Sequence, residues 1–367
     1  MDRIIDEIVK VSVTDAVAAA TATAVNTVAV LGISSKTGVG VKFSQEDVET
    51  AYKASGSDLD KVTASFFLED NPGKVVCIPT AEEPTADTIG TLLDAAMDLG
   101  TDEEGNTIDF YHVVVRLAPA GETTEAKATA AKAVIDALET WCETNFRMGH
   151  VEIADRETAI AVGVKYKAAT APSRVAIYAH SETNGRSLAA AIVADRCASD
   201  PARGTWAHKT LSSLNADAIS TSALNSAKTN GVNVYCKVAG VNRMFFGSIA
   251  GTDSAFIDEV IKKDWLKFRT QEAVFNILGS ANNGDGVDYN DAGIAAIASA
   301  INNIFTTAAD NDHRYIMEDS FEVQVPKYAD IAADQKKIRN LPDVKVPFSI
   351  QGSIHTVKTI ELQVVEA

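Results

Sequence analysis

Apolar and other residues alternate at both ends of the chain, a pattern typical of a strand with one buried face. In residues 344–350 the apolar positions are Val344, Val346, Phe348 and Ile350. Two further segments are predicted as strands, and their apolar members are Val9, Val11 and Val13 near the start and Ile354, Val357, Ile360, Leu362 and Val364 near the end. A terminal strand frays unless it pairs, so each predicted strand needs a partner in this chain or in a neighbour.

Between these ends, strand and helix patterns alternate. Strands are predicted at 28–33, 75–78, 111–117, 150–153, 174–179 and 232–238. Helices are predicted at 59–68, 88–98, 125–145, 156–166, 185–197 and 221–229, and Ser44 is a good N-cap for an earlier one. Alternation at this spacing predicts an α/β fold with a mostly parallel sheet and helices on both faces.

The pattern changes after Gly240. We predict a strand at 243–249, one or two helices over 253–278, a helix capped by Asn290 or Asp291, a strand at 321–325 and a short helix at 331–339. We therefore predict two domains. An outer, doubly wound-like α/β domain, residues 26–239, is inserted into an inner α+β assembly domain formed by residues 1–25 and 240–367.

Composition narrows the classes of partner. The chain is 46% hydrophobic and has a net charge of -17, with a mean hydropathy of +0.00 and a pI near 4.8. An acidic protein is repelled by nucleic acid and by anionic membranes, so neither is expected as a partner. The first residues are too charged for a secretory leader, and we expect no membrane span. The cysteines, which form no CxxC pair, are expected to be buried free thiols in a reducing compartment; they are Cys77, Cys142, Cys197 and Cys236.

Motifs that would carry chemistry are weak. Residues 32–38 resemble a phosphate loop, but in the wrong order. Residues 283–286 resemble part of a calcium loop, yet Ala281 and Ala292 occupy the positions that need acidic ligands. The six histidines show no metal-site spacing, and there is no GxSxG elbow. We therefore predict no catalytic residue, no metal and no cofactor, and we interpret Asp102, Glu103 and Glu104 as a solvated loop.

Lys336, Lys337 and Arg339 form the densest basic cluster near the end of this acidic chain. Two interpretations are open. The cluster is either a solvated helix face or a docking patch for an acidic partner.

Three stretches, taken in order, resemble the sheath proteins of contractile bacteriophage tails. The first comprises 231–235, 246–253, 256–258 and 264–266; the second is 287–294; the third comprises 332–334, Arg339 and 352–355. The similarity is good over about 231–365, loose over 1–80 and weak between. The second stretch departs slightly from the family, because Asp288-Tyr289-Asn290 replaces a Pro-Tyr-Thr-like start.

This resemblance implies a structural role. Sheath subunits polymerise as hexameric rings stacked into a helical sheath around a tail tube protein, and they meet baseplate and tail terminator proteins. Terminal strands pass to neighbouring subunits, and contraction drives the tube through the target envelope. The resemblance implies that the basic cluster faces the tube. It also implies a virion tail, or a phage-derived contractile particle, assembled in the bacterial cytoplasm.

Two other functions compete with this one. A small-molecule-binding α/β enzyme would bind its ligand at the carboxyl ends of the strands, but the expected glycine-rich first turn is missing. A tail-tube protein is disfavoured, because tubes need a small β-barrel-like fold and the middle of this chain is too helical.

Overall fold

The computed structural model describes residues 24–69, 73–167, 172–181 and 185–356. Within them the chain is mixed α/β, with eight strands in one mostly parallel sheet and ten α-helices. The strands are β1 (Val28–Ile33), β2 (Gly40–Lys42), β3 (Val75–Thr80), β4 (His112–Leu117), β5 (Met148–Ile153), β6 (Val175–Ala179), β7 (Val232–Val238) and β8 (Val241–Phe245). The prediction of a mostly parallel α/β sheet is confirmed.

The helices follow the predicted order. They are α1 (Gln45–Tyr52), α2 (Leu59–Phe67), α3 (Ile89–Asp98), α4 (Thr124–Asn145), α5 (Arg156–Lys167), α6 (Leu188–Cys197), α7 (Thr221–Thr229), α8 (Ile257–Ser280), α9 (Asp291–Ala309) and α10 (Ala333–Lys337). Side-chain oxygens cap several of their first turns, as expected for Ser44 on α1 and for Asn290 on α9.

The sheet has the strand order β2-β3-β1-β4-β5-β6-β7-β8. Its six central strands are parallel, while β2 and β8 pair antiparallel at the two edges. Successive residues of β1 face opposite sides, so Val30 belongs to one hydrophobic core and Ala29 to the other. Helices α6, α8 and α9 contribute to the first core, and α3, α4 and α5 to the second.

The predicted domain boundary at Gly240 falls inside a β-hairpin. Ala239 and Gly240 both have positive φ, 50° and 84°, as the tightest two-residue hairpin turns require. Val238 pairs with Val241 across this turn, so β8 continues the sheet of the preceding strands. The change of pattern that suggested a boundary is therefore a change from parallel to antiparallel pairing. The division into two domains stays a prediction.

Helix α9 has one charged residue, Asp291, and is long and apolar enough to cross a membrane, by length and composition only. The expectation of no such segment is wrong on these two criteria. Its buried side chains lie on one face, which packs into the core that contains α8 residues; they include Ile294, Ile297, Ile301 and Phe305. This arrangement is typical of an amphipathic core helix.

The strands predicted at 321–325 and 344–350 are extended segments joined by the isolated bridge of Gln324 with Lys345, and a further bridge pairs Ile350 with Ile316, which precedes the predicted strand. The predicted alternation is nevertheless present in their burial. Val344, Val346 and Phe348 are half-buried against the core, and the residues between them are exposed. The periodicity therefore identifies the inward face, although pairing is too interrupted for a regular strand.

Candidate functional site

Residues 1–23 and 357–367 lie outside the described residues, and after the predicted terminal strands we refer to them as the N-terminal and C-terminal arms. The point where the N-terminal arm joins the body is fixed by buried histidines. His112 Nε2 lies 3.0 Å from the carbonyl oxygen of Val25, and His112 Nδ1 lies 2.9 Å from His150 Nε2. His150 Nδ1 lies 2.8 Å from the Tyr178 hydroxyl. These groups form one hydrogen-bonded chain across β4, β5 and β6.

The direction of this chain follows from Val25. A carbonyl only accepts, so His112 Nε2 carries a proton. Burial disfavours the charged imidazole, and in a neutral His112 ring Nδ1 accepts from His150 Nε2–H. His150 Nδ1 in turn accepts from the Tyr178 hydroxyl. Burial lowers the pKa of His112 to about 3, and burial together with His112 lowers the pKa of His150.

We expect this arrangement to make the fold acid-labile. Below about pH 6.5, the ordinary pKa of histidine, the unfolded chain binds protons that the folded chain excludes. The free energy of unfolding should therefore decrease as the pH is lowered. At pH 5.5 the loss should be roughly 1.4 kcal/mol per buried histidine. Urea unfolding at pH 7.5 and pH 5.5 measures this difference.

The matched variants are His150→Gln and His313→Gln, because His313 is a half-exposed partner of Asp310. His150→Gln should reduce the dependence on pH, while His313→Gln should leave it almost unchanged. If the change from pH 7.5 to pH 5.5 destabilises His150→Gln as much as the unchanged chain, the assignment of His150 as a buried neutral histidine is contradicted.

The C-terminal arm joins the body close to the same place. His355 Nε2 lies 2.7 Å from Thr205 Oγ1, and His208 Nε2 donates to the His355 carbonyl at 3.1 Å. Trp206, the residue after Thr205, is fully buried, and its ring lies 5.6 Å from that of His112 and 5.2 Å from that of His150. The roots of both arms are thus linked indirectly through Trp206, although they are more than 300 residues apart in sequence.

A buried cation holds the residues just before the C-terminal arm. Lys262 on α8 is 0% exposed, pairs with Asp258 at 2.6 Å and donates to the Gln351 carbonyl at 2.8 Å. Gln351 also donates its backbone N–H to the Tyr315 carbonyl at 2.9 Å. A buried ammonium group without such acceptors would carry a large desolvation cost, so Gln351 is firmly fixed.

Residues 315–325 and 344–351 form an antiparallel pair that we call the ribbon. Lys345 exchanges two backbone hydrogen bonds with Gln324, at 2.8 and 2.9 Å, and Met317 donates to the Ser349 carbonyl at 2.8 Å. Because bonding alternates along an antiparallel pair, the backbone groups of Val346 and Phe348 face the other side. Within the described part of the chain, the N–H groups of these two residues have no hydrogen-bond partner. The ribbon therefore has an open edge.

The edges of the main sheet are covered. On β2, the Val41 N–H donates to the Asp102 carboxylate at 2.9 Å. On β8, Met244 exchanges two backbone hydrogen bonds with His208 and Lys209, at 2.7 and 2.8 Å. Covered edges prevent the pairing of a sheet with another chain. Asp102 is buried in this role, so the interpretation of this residue as part of a solvated loop is wrong.

Of the predicted exchange-strand residues, the structure describes Ile354, which is 84% exposed. The others lie outside the described residues, and their pairing stays a prediction; they are Val9, Val11, Val13, Val357, Ile360, Leu362 and Val364.

The basic cluster lies at the end of α10. Lys337 and Arg339 are exposed, while Lys336 is half-buried with its ammonium group 4.4 Å above the Tyr328 ring. Lys336, Lys337 and Arg339 are neighbours in sequence. The exposed side chains of Lys337 and Arg339 can contact a partner.

Among the residues that the structure describes, no group of three potential metal-ligating side chains converges. At the carboxyl edge of the sheet, the first turn of α6 binds the chain's own Glu152. Its Oε2 accepts from Ser187 Oγ at 2.7 Å and from the Ala189 N–H at 3.0 Å, and Arg116 lies 3.5 Å from its other oxygen. A helix N-terminus that could bind an anionic ligand is thus already occupied.

The residues around the arm roots were not predicted from the sequence. The spacing of His112, His150 and His355 does not fit a metal site, and it indicates no other role for them. A usable signal for the first two was their place in apolar strand patterns, Tyr111-His112-Val113 and Gly149-His150-Val151. A histidine at such a position is buried and needs a hydrogen-bond partner.

No protein-family model and no curated protein matches this chain.

Proposed function

We propose that this chain is a structural subunit of a contractile tail sheath. It polymerises as hexameric rings around a tail tube and contracts to drive the tube through a target cell envelope. The observation that carries the proposal is the indirect link between both arm roots through Trp206, through His112 with Val25 and through Thr205 with His355. Two arms whose roots are linked through one buried residue would be suited to reach neighbouring subunits together.

The ribbon supplies the place where an arm can pair. Its open edge offers the N–H groups of Val346 and Phe348, and it runs directly into Gln351, where Lys262 holds the root of the C-terminal arm. A strand from a neighbour can add to such an edge through backbone hydrogen bonds, while its apolar residues determine the register. The covered edges of the main sheet favour this ribbon as the place of exchange.

In this proposal residues 26–239, with seven of the eight strands, form the outer domain. Residues 1–25 and 240–367, with β8, α8, α9, α10, the ribbon and both arms, form the inner assembly domain. The buried Arg174–Asp264 ion pair, at 2.6 Å, ties α8 to the sheet. It supports a subunit that transmits force as one body. The exposed Lys337 and Arg339 face the tail tube, and baseplate and tail terminator proteins contact the ends of the sheath.

The alternative, a small-molecule-binding α/β enzyme, has less support. Ligands of doubly wound proteins bind at the carboxyl edge of the sheet, often with an anionic group at a helix N-terminus. Here Glu152 occupies the N-terminus of α6, and the Asp58 carboxylate accepts the Ile33 N–H at the end of β1 at 2.6 Å.

Electron microscopy of the purified full chain, with its mass in solution, tests the proposal. We expect rings or hollow tubes of uniform diameter and a mass far above that of one chain. A protein that stays monomeric or dimeric under all conditions that support its folding would overturn the sheath assignment and favour the enzyme.

A further inference from the structure

The segment 352–356, which leads into the C-terminal arm, is fastened to the body by one residue. In the described part of the chain, its hydrogen bonds and ring contacts with the body are all made by His355, apart from a local bond between Gln351 and Gly352. His355 is half-buried. The other residues of the segment are exposed, and they are Gly352, Ser353, Ile354 and Thr356.

The His355 ring is held by a hydroxyl group and by an aromatic ring. Its Nε2 lies 2.7 Å from Thr205 Oγ1, and it meets the Phe256 ring edge to face with the ring centroids 4.6 Å apart. Thr205 Oγ1 accepts from the Ala207 N–H at 2.9 Å and keeps its own proton to donate. A neutral His355 ring can therefore accept at Nε2, whereas a protonated ring has no acceptor nitrogen.

Cations surround this ring more closely than anions do. The His208 ring lies 6.1 Å from it between centroids, and the charges of Lys228 on α7 and Lys262 on α8 also act on it. Asp258 on α8 opposes them, but it is already paired with Lys262 at 2.6 Å. Burial lowers the pKa of His355, and the neighbouring cations act in the same direction. A proton on His355 is therefore disfavoured while the segment is attached.

Gln351 limits how far a release of this segment can extend. Lys262 donates to the Gln351 carbonyl and the Gln351 N–H donates to Tyr315, so neither contact depends on His355. Gly352 follows in open space, where even an added side chain would meet no atom within 4 Å. The chain can therefore turn at Gly352 while everything up to Gln351 stays in place.

We propose that His355 is an acid-sensitive latch of the C-terminal arm. At neutral pH it fastens residues 352–356 to the body, and its protonation in mild acid releases them as far as Gln351. His208 is not the switch, because its Nε2 donates to the His355 carbonyl and can do so in either protonation state. In the proposed sheath the release lengthens the free part of the arm, but the latch is a property of each subunit and does not depend on that function.

Proton linkage sets the size of the effect. A released His355 ring returns to the ordinary histidine pKa of about 6.5, while the attached ring binds protons less readily. Attachment is therefore strongest above about pH 6.5 and weakens as the pH falls. The ratio of released to attached chains should rise by up to roughly tenfold between pH 7.5 and pH 5.5.

A nitroxide spin label at position 354 measures the release in the full chain. Ile354→Cys can be labelled selectively, because Ile354 is 84% exposed and the native cysteines are buried. The mobile fraction of the paramagnetic resonance spectrum should rise reversibly as the pH is lowered from 7.5 to 5.5. A label on Leu99→Cys, at an exposed residue that ends α3, should keep its spectrum over the same range.

Two histidine variants of the chain labelled at position 354 identify the group that titrates. His355→Gln cannot take up a proton, so its mobile fraction should be independent of pH. His208→Gln keeps a donor for the His355 carbonyl and leaves His355 unchanged, so the dependence on pH should persist.

A mobile fraction that does not change with pH, or that still changes in His355→Gln, would overturn the inference. Loss of the pH dependence in His208→Gln would also overturn it, because His208 would then be the switch. A label at position 99 that is freed at the same midpoint as the label at 354 would show that acid unfolds the whole body, which excludes a separate release. None of these results bears on the sheath assignment, which electron microscopy tests.

Discussion

Replacing Ile360, Leu362 and Val364 with serine should abolish polymerisation and leave the body of each subunit folded. In the proposed sheath these side chains occupy one face of a strand that adds to a neighbour's ribbon. Burial of each apolar side chain contributes roughly 1.5–3 kcal/mol before ordering costs. The loss repeats at every subunit, so even a modest change per contact prevents assembly.

The opposite face of the same strand provides the control. Replacing Thr359, Glu361 and Gln363 with serine changes as many residues in the same segment, but removes no apolar side chain. This variant should still form tubes, because side chains of a strand alternate between its two faces. Deleting residues 354–367 should abolish polymerisation, as the replacement of Ile360, Leu362 and Val364 does.

Electron microscopy reports assembly, and far-ultraviolet circular dichroism reports folding. The body should remain folded in all variants, because the chain before the arm is held by Lys262 on Gln351. If the variant with serine at positions 360, 362 and 364 forms tubes of normal appearance, the terminal strand pairs within its own subunit.

Asp264→Asn should lower the free energy of unfolding by about 3–5 kcal/mol, a large effect for a single substitution. Asp264 on α8 accepts from the two terminal guanidinium nitrogens of Arg174, at 2.6 and 2.8 Å, and from the Tyr111 hydroxyl at 2.6 Å. All three groups are buried. The substitution leaves the Arg174 charge in the core without its counter-ion, which costs more than the pair contributes.

A double variant separates the cost of an unpaired buried charge from the contribution of the ion pair itself. Arg174→Met with Asp264→Leu removes both charges, so it should be less destabilised than Asp264→Asn alone. Glu49→Gln breaks an exposed ion pair with Lys53, whose charged atoms lie 2.7 Å apart, and should leave the free energy of unfolding almost unchanged. Urea unfolding measures all three variants. A cost for Asp264→Asn as small as that of Glu49→Gln would show that the network does not hold α8 to the sheet.

Local pattern was enough for most of the main sheet and its helices. The apolar strands around Val30 and Val114 and the caps at Ser44 and Asn290 are where their sequences predict them. The alternation from Val344 to Phe348 also identified which side chains face the body. A segment's periodicity and capping residues determine its own conformation, so these features needed no knowledge of the rest of the chain.

The tertiary structure alone decided which distant residues meet. Asp102 reaches Val41 across 61 positions of sequence, and Asp264 reaches Arg174 across 90. Trp206 links the roots of both arms indirectly, and the Gly240 turn joins β8 to the sheet where the sequence suggested a domain boundary. Such contacts depend on which elements become neighbours when two cores are buried at once, and no local period carries that information.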